Sequence, residues 1–237
     1  GFSDSGHMAS PAPAKRLLGL FFLFLCPGCG RRVPAKGSRL CAWCLARVHP
    51  VPGSVPHPAA FLHRGVMREM MIRLKYSGER HLGGVLAEMA LEEWSRIPSP
   101  GDTVTCVPSS PATLRRRGYN QVGIMARRLA ALTECRFTEI LAREPGPSQV
   151  GLSARQRRLN LEGAFHPARP VPGGRIWLLD DVLATGETLR QAALALRRGG
   201  AARVVPLAVN FRETRHGSMI ERNGELEPEG REDRRDS

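Results

Sequence analysis

Apolar residues along this chain fall into short blocks, set apart by polar, glycine-rich and proline-rich stretches. Met67, Met70, Met71 and Leu74 recur at helical spacing, as do Leu82, Val85, Leu86, Met89 and Trp94, and they predict two amphipathic helices. Val122, Met125, Leu129 and Leu132 predict a third. A fourth carries Leu189, Ala192, Ala193 and Leu196 on one face and Arg190, Gln191, Arg197 and Arg198 on the other, with Gly199 and Gly200 to close it. Residues 176–179, 104–108 and 202–209 are continuous apolar runs, which suit strands buried on both faces. Strands alternating with helices predict an α/β fold around a parallel sheet. In that fold the methionine stripe is core packing and Cys106 a small core residue.

The 176–179 run ends at two carboxylates, Asp180 and Asp181. A loop of small residues follows, Ala184, Thr185, Gly186, Glu187 and Thr188, and then the fourth helix. Strand, acid pair, small loop and helix have a chemical use together. Backbone N–H groups in the loop and at the helix start converge where the helix dipole favours negative charge, so a phosphate fits there. Gly186 permits close approach, and the two threonine hydroxyls add donors. Carboxylates accept hydrogen bonds and so suit hydroxyls, which makes a sugar phosphate, commonly ribose 5-phosphate, the natural ligand. The bland reading is a capped βα turn with solvent-facing acids; the coincidence of all these residues favours the functional one.

Length and charge narrow the partners. At 237 residues the chain holds one substantial α/β domain and a small accessory module. The formal charge of +13 is almost wholly arginine, since Lys15, Lys36 and Lys75 are the only lysines. A basic surface attracts nucleic acid, a membrane surface or a polyphosphate, and composition alone does not choose. Residues 1–10 read as an expression-vector scar. The run Leu17 to Leu25 imitates a signal peptide, but Leu25 is too large for a lipoprotein cleavage box before Cys26. Nine apolar residues are also too few to span a bilayer, so no membrane span is expected.

Cys26 and Cys29, then Cys41 and Cys44, form two Cys-x-x-Cys knuckles eleven residues apart. That spacing suits one tetrahedral, structural Zn²⁺. Two disulfides or a redox pair are the competing readings; neither a credible signal peptide nor a βαβ context accompanies them. Residues 48–58 are rich in Pro and Gly and read as a linker.

Three basic segments remain. Lys75, at a helix end, is either a polyphosphate contact or simply solvated. A loop after the 104–108 strand carries Arg115, Arg116, Arg117, Gly118, Tyr119, Asn120 and Gln121; guanidiniums there suit a pyrophosphate, and a solvated turn is the alternative. From Arg143 to Phe165, through Gln149, Ser153, Arg155, Arg157, Arg158 and Asn160, the prolines and glycines predict a mobile loop that closes over a charged substrate, or else an ordinary surface insertion. From Phe211 on, the polar mixed-charge sequence predicts a disordered tail.

Residues 175–188 resemble the PRPP-binding motif of type I phosphoribosyltransferases. The resemblance widens with the two Cys-x-x-Cys knuckles, Leu74-Lys75-Tyr76, Val107-Pro108, Arg117 to Gln121, and Gln149 through Phe165, in the order seen in the ComF/GntX family. It covers about residues 17 to 211. It implies a type I phosphoribosyltransferase-like parallel sheet flanked by helices, with a small N-terminal four-cysteine zinc module. The expected division is a scar and disordered N-terminus over 1–16, the zinc module over 17–52, the transferase-like domain over 53–212 and the tail over 213–237. Carried over by residue, Asp180 and Asp181 would hold the ribose hydroxyls, Ala184 to Thr188 the 5′-phosphate, and Arg117 to Gln121 the pyrophosphate side, with Mg²⁺ accompanying PRPP. The family further implies a cytoplasmic protein tied to competence and DNA uptake, with single-stranded DNA and the competence helicase ComFA as partners. A nucleic-acid-binding adaptor and a PRPP sensor without catalysis remain open beside the transferase reading, and the acceptor is not named.

Overall fold

The computed structural model describes residues 25–33, 39–52, 58–145, 161 and 163–213. Within them the chain runs α1 (Ala42–Leu45), β1 (Ala59–Leu62), α2 (Gly65–Tyr76), α3 (His81–Glu93), β2 (Thr103–Cys106), α4 (Pro111–Arg117), α5 (Gln121–Leu132), β3 (Arg136–Phe137), β4 (Leu141–Arg143), β5 (Phe165–Pro167), β6 (Arg175–Leu183), α6 (Glu187–Arg198) and β7 (Arg203–Phe211). Five strands form one all-parallel sheet in the order β1-β7-β6-β2-β3, and β4 pairs with β5 in a separate antiparallel ribbon.

Every residue of β1 and β2 is buried, as is most of β6 and β7, because helices cover both faces. One layer is built on α2, α3 and α5, whose Met67, Met70, Met71, Leu86, Met125 and Leu129 meet Trp177, Leu179, Val205 and Leu207 of the sheet. On the other face α6 and the ribbon set Leu189, Leu196 and Phe165 against Ile176, Leu178 and Val204. The methionine stripe is therefore core, and Cys106 is buried with its thiol pushed upward by desolvation.

This strand order places the topological switch between β2 and β6. After β2 the chain moves outward to β3, and after β6 it moves outward the other way to β7. The crevice outside the carboxyl ends of these two strands is where open α/β sheets bind ligands.

Several elements differ from the sequence expectation. β6 does not stop at Leu179; it continues through both acids to Leu183, because β7 pairs with it along its whole length. The three arginines Arg115 to Arg117 sit on the short helix α4, capped by Ser110 and closed by Gly118 in the left-handed region, rather than on a loop. β1 and β3 carry too few residues for a periodic signal, and their pairing is tertiary. The expected linker begins by covering the sheet edge, with Val51 N–H bonded to the Ala60 carbonyl and Leu62 N–H to the His49 carbonyl. The ends of the expected mobile loop, at Arg143 and Phe165, form the β4–β5 ribbon, while residues 146–160 and 162 lie outside the described set. The segment expected as scar lies outside it too, and the tail expected from Phe211 begins later, since Phe211 ends β7 paired with Leu183; beyond Glu213 it lies outside the described residues. No helix among the described residues is long and apolar enough to cross a membrane.

Candidate functional site

β6 carries Asp180 and Asp181 to the switch-point crevice, and alternation along a strand sends consecutive side chains to opposite faces. Their surroundings agree. Asp181 turns towards the α2–α5 layer, where Lys75 Nζ stands 2.9 Å from its Oδ2 and Gln121 Nε2 donates to the same oxygen. Asp180 accepts the Asp181 backbone N–H at 2.8 Å on Oδ1. Both residues are under a tenth exposed.

That division separates the two acids electrostatically. Burial and then the charge of Asp181 push the Asp180 carboxyl up to about 7. Burial acts to raise Asp181 as well, but the Lys75 charge, its hydrogen bond and the Gln121 amide outweigh it and hold this carboxyl below the usual range. One acid is thus kept ionised and its neighbour held near neutrality.

The loop after β6 stays accessible: Thr185 is exposed, and Ala184, Gly186, Glu187 and Thr188 are half-buried. Gly186 is the N-cap of α6 with φ 78°, a left-handed backbone that a side chain would strain. The first amides of α6 have no intrahelical acceptor and face the crevice end of the sheet; the Glu187 N–H already meets Thr185 Oγ1 at 3.5 Å. The Glu187 carboxylate turns back along its helix, accepting from Arg190 and from Gln191 at 2.9 Å.

The segment 117–121 meets the site through particular atoms. Asn120 caps α5 by accepting from Val122 N–H and donates to the Val107 carbonyl, which ties the helix start to the end of β2. Arg117 donates to Gln121 Oε1 and lies 5.6 Å from the exposed Tyr76 ring. A line of donors therefore runs from Arg117 through Gln121 to Asp181. Tyr119 packs inward, its hydroxyl donating to the Leu74 carbonyl and its ring under Arg80 at 4.5 Å. Arg143 is largely desolvated beside Phe165 and lines a cavity of about 450 Å³ with Pro108, Ser109, Asn120 and Glu139. Arg158 lies outside the described residues.

Some polar groups carried no sequence signal. Among the described residues, His63 Nδ1 and both amide atoms of Asn210 are buried without a hydrogen-bond partner, at the carboxyl ends of β1 and β7. Desolvation first, then Arg212 and Lys75, push the His63 imidazole down to about 4. Buried orphans of this kind call for a water or a ligand.

Away from the crevice, the Sγ atoms of Cys26, Cys29, Cys41 and Cys44 all lie within 4.8 Å of one another. Cys29 and Cys41 are 3.6 Å apart, close to the roughly 3.8 Å edge of a tetrahedron with about 2.3 Å Zn–S bonds. Burial opposes thiolate formation at Cys26, but N–H groups of Cys41, Cys29 and Gly28 outweigh it and bring that thiol down to about 7. The four thiols fit a closed metal site.

The phosphoribosyl transferase domain family matches residues 112–222. DNA utilization protein YhgH of Escherichia coli O6:H1 is 32% identical over 195 residues, 76% of this chain and 81% of that protein. Competence protein F of Haemophilus influenzae is 38% identical over 90 residues, 36% of this chain and 39% of its own. Among solved structures, orotate phosphoribosyltransferase from Aeropyrum pernix aligns at 16% identity and a TM-score of 0.35, covering 58% of this chain and 74% of that one.

Proposed function

We propose that this chain, which belongs to the ComF/GntX family of phosphoribosyltransferase-like proteins, binds PRPP in the switch-point crevice and transfers its ribose 5-phosphate to a nitrogen acceptor. The observation that supports this most is the coincidence, at the end of β6, of a glycine-capped helix start with two carboxylates in unlike environments.

In this reading the amides of residues 184–188 hold the 5′-phosphate, and Asp181 accepts from a ribose hydroxyl. The acceptor nitrogen forms a bond to ribose C1 as the bond from C1 to pyrophosphate breaks, with the electron pair leaving on pyrophosphate. Positive charge gathers on the ring meanwhile, and the ionised Asp181 beside it is favourable. Arg117 and Arg143 flank the crevice for the leaving anion. Mg²⁺, held chiefly by the oxygens of PRPP itself, would add charge to neutralise that anion. The four thiols take Zn²⁺ as a structural ion, since they leave no open position for chemistry.

The test is pyrophosphate release from PRPP and Mg²⁺ over a panel of free bases, ammonia and oligonucleotides. The reading expects release with at least one acceptor and its loss in Asp181→Asn. PRPP binding without any release leaves a sensor, and no binding at all removes the assignment.

A second reading draws on the four-cysteine module. Trp43 is half exposed, with the guanidiniums of Arg31 and Arg47 at 5.1 and 4.3 Å from its ring. An exposed indole among arginines suits single-stranded DNA, in keeping with the competence and DNA-utilization names of the relatives and with a cytoplasmic role in DNA uptake alongside ComFA. Gel shifts across a salt series should show steep salt dependence and a several-fold loss in Trp43→Ala; unchanged binding in that variant removes the platform.

A further inference from the structure

Lys75 is one of three lysines in the chain, and the last turn of α2 brings it to a carboxylate that lies 106 positions away in sequence. We propose that Lys75 is a positioning residue for the acid pair: its ammonium is a built-in counter-cation that holds Asp181 ionised and aims it at a ribose hydroxyl. This rests on the PRPP reading of the crevice.

Three observations carry it. Lys75 and Gln121 both donate to Asp181 Oδ2, and among the described residues no donor reaches Oδ1, so the pair fixes the carboxylate and leaves its second oxygen for a ligand. The turn that bears Lys75 is itself pinned, because Leu74 is buried and its carbonyl accepts the Tyr119 hydroxyl from the segment that supplies Gln121. The two anchors of Asp181 are therefore one assembly. Finally, two adjacent buried acids repel each other's charge, and an internal cation against one of them relieves this. Among the described residues, the charged and titratable groups facing the pair are Lys75, Arg117, Arg143, His63 and the buried thiol of Cys106, besides the two acids themselves; His63 is held neutral and burial keeps Cys106 protonated.

The reading of Lys75 as a polyphosphate contact makes a different prediction, since a positioning residue acts through the ribose and a phosphate contact acts through the pyrophosphate. Calorimetry on the full chain would compare PRPP with Mg²⁺ against ribose 5-phosphate, for wild type, Lys75→Met, Lys75→Arg, Asp181→Asn and the Lys75→Met/Asp181→Asn double variant, with melting curves to confirm folding. The proposal expects Lys75→Met to weaken both ligands by a similar factor, about tenfold or more. That loss should shrink when Asp181→Asn is already present, and the acid limb of binding should move to higher pH in Lys75→Met. Lys75→Arg should recover part of the affinity. Loss confined to PRPP would make Lys75 a pyrophosphate contact and overturn the proposal, as would unchanged affinity for both ligands. Wild-type protein that binds neither ligand overturns the PRPP reading itself, and this inference with it.

Discussion

Asp180 and Asp181 are neighbours in sequence and opposites in environment. Asp181 has a cation and an amide on one oxygen; Asp180 has burial and its neighbour's charge. The folded-state carboxyl of Asp180 lies above its unfolded value, so its contribution to stability is full at low pH and is lost as pH rises through about 7. Asp180→Asn removes the ionisation that is lost there. It should raise stability at pH 8 by roughly 1–3 kcal/mol and change little at pH 4, as read by thermal melts at the two pH values. Asp181 shifts the opposite way, so its contribution is present above the ordinary carboxylate range and falls away in acid. Asp181→Asn should weaken PRPP about ten- to a hundredfold, the worth of a hydrogen bond to a charged group, measured by calorimetry with Mg²⁺ present. The acids were legible from their place after an apolar run. Their division was not, because Lys75 and Gln121 reach Asp181 only through the packing of α2 and α5 on the sheet.

At the scale of elements, the unit β6–loop–α6 was legible almost whole, since a buried strand, small residues and an amphipathic helix are each local signals. The strand's true end was not. Pairing with β7 extends it past the apolar run, and polar residues in a buried strand give no period to read. The short strands β1 and β3 and helix α4 were hidden for a related reason, being stabilised by neighbours rather than by their own pattern. The loop's chemistry depends on one backbone conformation. With φ 78° at Gly186, Gly186→Ala should cost about 1 kcal/mol in strain and tilt the amides that the phosphate reading requires. Affinity for ribose 5-phosphate should fall about fivefold or more while free ribose, which lacks the phosphate, is unaffected; equal loss for both would locate the defect elsewhere.

Across the whole molecule, the four-cysteine module is packed on the sheet domain and is not an appendage. Cys26, Leu40 and Cys44 share a core with Val66, Met67 and Met70, and Arg73 of α2 donates to the Pro27 carbonyl at 2.7 Å. Space there is tight: a Cβ on Gly28 would lie 2.7 Å from both Cys44 Sγ and Val66 Cγ2. Removal of metal by a chelator should therefore lower the melting temperature of the entire protein in one cooperative step, and Gly28→Ala should do so without chelator; a separate low-temperature transition would show the module unfolding alone. The knuckle spacing was plain in the sequence, but this shared core was not, because it joins residues of distant segments. The same arrangement sets α2, and with it Lys75, between the four-cysteine module and the acid pair. The account as a whole stands on the crevice between β2 and β6. A crystal structure of the protein with PRPP and Mg²⁺ tests it most directly. The prediction is a 5′-phosphate seated on the amides of residues 184–188, with a ribose hydroxyl at Asp181 Oδ1; PRPP bound elsewhere, or that loop empty at saturating ligand, would contradict it.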